Sequence, residues 1–266
     1  MLIDFDAFEA VLLDLDGTLC HEDHALPGAI ELVERLRAGG RKYACMTNST
    51  HSPETVVARL HRMGIFGIDA IQVYSAANAS ADYVLQTFAG PRLPRVFNLA
   101  TQSIQEILEG KVQWAAGENE PCDAVICGCP VNVYATEDRQ RTAMLLVRKG
   151  ATLVGICADR VYPSPRGLEI GVGALTTLLA YAAGVRPIFC GKPEKLFFNE
   201  LCGRMNVRPE RCVLIGDNLE SDIAGAKGVG MKTILTLTGV ARREEAERLA
   251  PTARPDWVIG DLTKLI

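Results

Sequence analysis

Short apolar runs alternate with amphipathic stretches along nearly the whole chain, the pattern of a parallel sheet covered by helices. The apolar runs predict strands over residues 10–13, 43–46, 70–73, 95–99, 124–127, 152–156, 187–190, 212–215 and 232–235. Between them the period lengthens to that of helices. Residues 29–38 read as a helix stopped by Gly39-Gly40, and Ser52-Pro53-Glu54 opens another with a cap residue and a proline in the first turn. Residues 194–205 and 221–228 carry the same signature, whereas the polar stretch 110–121 reads as a loop.

Composition narrows the class without naming it. A chain of 266 residues, 48% hydrophobic and 23% charged, can bury a substantial core in one large or two modest domains. A net charge of −4 leaves no basic footprint for nucleic acid. The acidic start, Asp4 and Asp6, does not suit a signal peptide, and no apolar run reaches membrane-spanning length. A soluble, cytoplasmic protein is expected. Nine cysteines at irregular spacing, with Cys45, Cys127, Cys190 and Cys212 inside apolar runs, predict reduced, buried thiols rather than a disulfide framework. Cys127-Gly128-Cys129 lacks the second ligand pair that a zinc site needs.

The candidate chemistry lies where strands end, the place at which open parallel sheets bind ligands. The first strand runs into Asp14-Leu15-Asp16-Gly17-Thr18. If the extended geometry held, Asp14 and Asp16 would share one face and crowd two like charges, a situation eased by a cation or a retained proton. The second strand ends in Thr47-Asn48-Ser49-Thr50, donors before a helix start that suit an anion. Residues 187–190 lead to Gly191-Lys192-Pro193, which places one cation where phosphate could meet it. Residues 212–215 lead to Gly216-Asp217-Asn218 and on to Asp222; Asp217 could complete a hard-cation site with Asp14. His21, His24 and His51 lack a recognisable nucleophile partner and read as loop residues. Gly171-Val172-Gly173 lacks the rest of a dinucleotide fingerprint and reads as a helix entry.

The order Asp-x-Asp-Gly-Thr, Thr-Asn, Gly-Lys-Pro and Gly-Asp-x-x-x-x-Asp resembles the four motifs of the haloacid dehalogenase superfamily of phosphotransferases. The roughly hundred residues between the second and third motifs are too many for a loop and predict an inserted domain. With the stretch from Cys157 to Pro163 and the Gly167, Gly171, Gly173 series, the chain resembles the NagD-like, or p-nitrophenyl phosphatase, subfamily. That subfamily usually has Asn where Cys157 stands and often Arg where Asn218 stands. The expected fold is α/β: a doubly wound, Rossmann-like parallel-sheet core over residues 1–79 and 185–266, with an inserted α/β cap domain over 80–184.

The resemblance implies an Mg²⁺-dependent phosphatase acting on small phosphate monoesters. Asp14 would be the nucleophile that forms an aspartyl-phosphate, and Asp16 the general acid and base. Asp14, Asp217 and the backbone carbonyl of Asp16 would hold Mg²⁺. Thr47 and Lys192 would grip the phosphoryl group, Asn48 would support the loop, and Asp222 would orient metal-bound water or Lys192. Asp159, Arg160 and Tyr162 would select the substrate, and the cap would mediate a homodimer. A phosphotransferase or mutase using the same intermediate, and a non-catalytic phosphometabolite-binding protein, are the alternatives.

Overall fold

Six strands, in chain order Ala10–Asp14, Lys42–Thr47, Val73–Ser75, Cys212–Gly216, Lys232–Thr236 and Trp257–Ile259, form one sheet. Their spatial order is third, second, first, fourth, fifth, sixth. The first strand pairs in parallel with the second and the fourth, and the fourth, fifth and sixth continue in parallel. This is the doubly wound order, whose switch point lies between the first and fourth strands and opens a crevice at their carboxyl ends. The sheet forms because its two central strands are apolar up to their ends: Val11, Leu12, Leu13, Val213, Leu214 and Ile215 are all buried. Leu32, Val33 and Leu36 of the helix Ala29–Ala38 pack into the same apolar cluster as Val11, Leu13, Val213 and Ile215.

The computed structural model describes residues 3–128, 133–164 and 166–266. The chain separates into two compact units. One comprises the residues up to Thr47 with Pro53–Tyr74 and Lys192–Ile266; the other comprises Asn48–Ser52 and Ser75–Gly191. The second unit has its own parallel sheet, in the order Ile188–Phe189, Thr152–Gly155, Ala124–Cys127, Arg95–Leu99, Gln113–Trp114. Leu146 from the helix Glu137–Arg148 and Leu175 and Leu179 from Val172–Ala183 bury against Phe97, Val125 and Leu153 of that sheet. An antiparallel hairpin, Val161–Ser164 with Gly167–Ile170, belongs to the same unit.

Several elements differ from the sequence expectation. Residues 70–73 are not a strand: Ala70–Gln72 is a 3-10 turn with Ile71 94% exposed, and the strand begins only at Val73. The 110–121 stretch contains a short edge strand, Gln113–Trp114. The helix expected over 221–228 is a π-turn, Leu219–Ile223, followed by the α-helix Ala224–Gly228. By contrast, Gly171 stands at the N-cap of Val172–Ala183 as its helix-entry reading requires. Cys45, Cys127, Cys190 and Cys212 are buried, while Cys129 lies outside the described residues. Among the described residues no helix is long and apolar enough to cross a membrane.

Candidate active site

The first strand stops at Asp14, and the chain turns at once. The Leu15 carbonyl accepts hydrogen bonds from the backbone N–H groups of Thr18, Leu19 and Cys20, and Gly17 adopts φ +90°, a conformation suited to glycine. Alternation of side chains therefore ends one residue after Asp14. The Asp14 carboxylate is buried, whereas that of Asp16 is exposed and paired with Arg59, with Nη2 2.7 Å from Oδ1. The expected crowding of Asp14 against Asp16 does not arise, because the extended geometry it needs is absent. Thr18 Oγ1 donates to Asp14 Oδ2 at 3.2 Å.

The like charges beside Asp14 come instead from beyond the fourth strand. Oxygen atoms of Asp14, Asp217 and Asp222 all lie within 4.8 Å of one another, and all three residues are buried. Lys192 is 3% exposed, and its Nζ donates to Asp14 Oδ1 at 2.5 Å and to Asp222 Oδ1 at 2.6 Å. Burial alone would weaken the Lys192 ammonium, but Asp14 and Asp222 outweigh it and hold the proton above the usual lysine range. Burial raises Asp14 well above an ordinary carboxylate; Lys192 opposes this, and Asp222 and Asp217 add to it. Burial, then the charge of Asp222, pushes Asp217 up to about 6, against the pull of the Val240 N–H bond. One ammonium among three buried carboxylates leaves uncompensated negative charge on hard oxygen donors, and this donor set fits Mg²⁺.

The local sequence explains how three acids reach one place. Asp217 follows the strand Cys212–Gly216, and two glycine backbones close around it. A Cβ built on Gly239 would sit 1.9 Å from Asp217 Oδ2, and one on Gly17 would sit 2.4 Å from it. The Val240 N–H donates to Asp217 Oδ2 at 2.7 Å. Asn218 Oδ1 accepts from the N–H groups of Glu220 and Ser221 and so opens the π-turn. That turn holds Asp222 fully buried, with Oδ2 accepting from the Asn218 N–H at 3.1 Å. Asp222 thus faces the lysine and is more than a solvated partner for a helix dipole.

Asp14, Asp16, Thr47, Lys192, Asp217 and Asp222 all lie in the first unit. Thr47 closes the strand Lys42–Thr47 and is 3% exposed. Asn48 belongs to the second unit, where its Nδ2 donates to both carboxylate oxygens of Asp159 at 3.1 and 3.2 Å. Arg160 is exposed, and Tyr162 is half-buried on Val161–Ser164. His21, His24 and His51 are exposed. Three contributors escaped the sequence reading. Thr18 stood inside the quoted motif with no role attached, whereas Arg59 and Gly239 show no motif and are placed by the tertiary fold alone.

Comparison with known proteins accords with this geometry. Residues 11–111 match a family model described as haloacid dehalogenase-like hydrolase, and residues 189–265 match one described as HAD-hydrolase-like. An acid sugar phosphatase from Staphylococcus saprophyticus is 30% identical over 260 residues, covering 97% of each chain. The chain belongs to the haloacid dehalogenase-like hydrolase family. Within that family it is similar to a 4-nitrophenylphosphatase from Thermotoga maritima, with TM-score 0.87, 28% identity and coverage of 98% of this chain and 97% of that one. A glycerol phosphate phosphatase from Mycobacterium tuberculosis in complex with magnesium is also similar, with TM-score 0.89, 27% identity and coverage of 100% and 79%. The first matched segment carries Asp14, Asp16 and Thr47; the second carries Lys192, Asp217 and Asp222.

Proposed function

We propose that this protein is an Mg²⁺-dependent phosphatase that hydrolyses small phosphate monoesters through an aspartyl-phosphate on Asp14. The observation that carries the reading is Lys192, buried and bonded to Asp14 and Asp222 beside Asp217. A phosphate dianion approaching a carboxylate meets like charge, and such a reaction needs charge neutralisation and an in-line nucleophile more than covalent ingenuity.

In this reading Asp14 attacks phosphorus with one carboxylate oxygen and the leaving oxygen departs. Asp16 gives the leaving oxygen its proton, then takes a proton from the water that hydrolyses the aspartyl-phosphate. Lys192 and Thr47 hold the phosphoryl oxygens, and Asp222 keeps the ammonium aimed. Asn48 supports the loop that follows Thr47. Asp14, Asp217 and the Asp16 backbone carbonyl would hold Mg²⁺, which when bound neutralises charge on the transferring group. Arg160 and Tyr162 select the leaving group, and Asp159 contributes through its bonds to Asn48.

The names of the relatives span sugar, aryl and glycerol phosphates, so the test uses a panel of these with nucleoside monophosphates, phosphoglycolate and pyridoxal phosphate. Free phosphate should appear with Mg²⁺ and stop with EDTA. Release no greater than that of Asp14→Asn would overturn the reading, and a phosphorylated acceptor in place of free phosphate would reassign the protein as a phosphotransferase.

A further inference from the structure

Arg59 has no place in the four motifs, yet it reaches the residue that the reaction needs most mobile in its proton. It lies on the helix Pro53–Arg62, whose buried face is Pro53, Val56 and Leu60. From the edge of that face its guanidinium places Nη2 2.7 Å from Asp16 Oδ1 and also donates to the Glu22 carbonyl. Glu22 sits in the turn of the hairpin Cys20–His21 and His24–Ala25, with φ +50°, a left-handed conformation uncommon for a residue other than glycine. One side chain therefore fastens the two ends of the loop after Asp14 to a helix 43 positions further along the chain from Asp16.

Stability is a poor explanation for this contact. The Arg59 side chain is 29% exposed and that of Asp16 is 54% exposed, a setting in which ion pairs contribute little to folding. Orientation is the better one. Asp16 lies inside the turn that Leu15 opens, its backbone no longer belongs to the sheet, and the other side-chain contact of its carboxylate among the described residues is a weak one with Cys20 Sγ at 3.9 Å. Arg59 meets both the carboxylate and the turn that follows it through one nitrogen, Nη2, of a rigid planar guanidinium.

We propose that Arg59 is a positioning residue that sets where the Asp16 carboxylate stands for proton transfer. The inference rests on the phosphatase reading and adds to it a residue outside the motifs. Its signature lies in the leaving group. An alkoxide such as that of glycerol needs a proton as it departs, whereas 4-nitrophenolate leaves as a stable anion, so loss of a well-placed acid penalises the first far more than the second.

The experiment measures kcat/KM with Mg²⁺ on glycerol phosphate and on 4-nitrophenyl phosphate for wild type, Asp16→Asn and Arg59→Met, with Arg59→Gln in reserve should the methionine variant fail to fold. Wild-type turnover, with a larger loss on glycerol phosphate in Asp16→Asn, establishes the parent reading; no wild-type turnover on these two or on any other member of the substrate panel refutes that reading by itself. Arg59→Met should then lose about tenfold more kcat/KM on glycerol phosphate than on 4-nitrophenyl phosphate while melting within a few degrees of wild type. Equal losses on the two substrates, or wild-type rates on both, would overturn the positioning role while leaving the phosphatase reading intact.

Discussion

Lys192 Nζ donates to Asp14 Oδ1 at 2.5 Å, with both side chains almost wholly buried. Removing the cation from such a pair strands its partner in a poorly solvated site. Lys192→Met should therefore lower the stability of the metal-free protein by about 3 kcal/mol or more, the scale on which broken buried ion pairs are measured. Denaturant unfolding in EDTA checks this, and added Mg²⁺ should recover part of the loss by neutralising the remaining acids.

Asp14→Asn keeps the shape of the side chain and removes the nucleophilic charge. Phosphate release should fall by about a thousandfold or more, as happens when a residue acting as part of a catalytic unit is lost. Circular dichroism should match wild type, and turnover surviving in this variant would remove Asp14 from the nucleophile role.

Gly239→Ala would set a methyl group where Asp217 Oδ2 now stands, since the added Cβ falls 1.9 Å from that oxygen. The carboxylate must move from the place where it now stands with Asp14 and Asp222. The Mg²⁺ concentration that gives half-maximal activity should rise by about tenfold, in line with losses from displacing groups around a metal site. A metal titration of the initial rate reads this directly.

Asp217 offers a signed pH dependence. Its carboxyl rises from an ordinary value of 3.8 to about 6 in the folded protein. The native chain therefore keeps a proton that the unfolded chain releases, and the associated stability is present below the lower value and lost as pH rises through the higher one. Melting temperatures of the metal-free protein, taken as the difference between wild type and Asp217→Asn, should show wild type losing ground between about pH 4 and pH 7. Mg²⁺ should erase that loss at the upper end.

The inner strands of both parallel sheets were legible because buried parallel strands announce themselves as continuous apolar runs. Residues 10–13, 124–127 and 212–215 were placed almost to the residue. Short, half-exposed or polar strands carry no such signal, and Trp257–Ile259 and the hairpin Val161–Ser164 with Gly167–Ile170 went unread. Residues 70–73 looked apolar, but Ile71 points to solvent. Asp14, Asp217 and Asp222 could be picked out because they stand at or just beyond the ends of two strands that pair side by side in one sheet, and Lys192 because it sits in a Gly-Lys-Pro turn after an apolar run. The facing of Asp16 could not be read, because it depends on where the first strand stops. Arg59 could not be read either, because its partner is chosen by how a helix docks rather than by any local pattern.

The strand order also has a consequence for how the molecule is made. Asp14 sits 178 positions ahead of the ammonium it binds, and the strand it ends is flanked on one side by a neighbour synthesised near residue 212. On the ribosome the nascent first strand must wait, half of its hydrogen-bonding edge unoccupied, through the translation of an entire independent sheet. Closure of the acidic centre is thus a late event in biogenesis, and a ribosome stalled before residue 192 would hold a chain in which Asp14 has no lysine to meet.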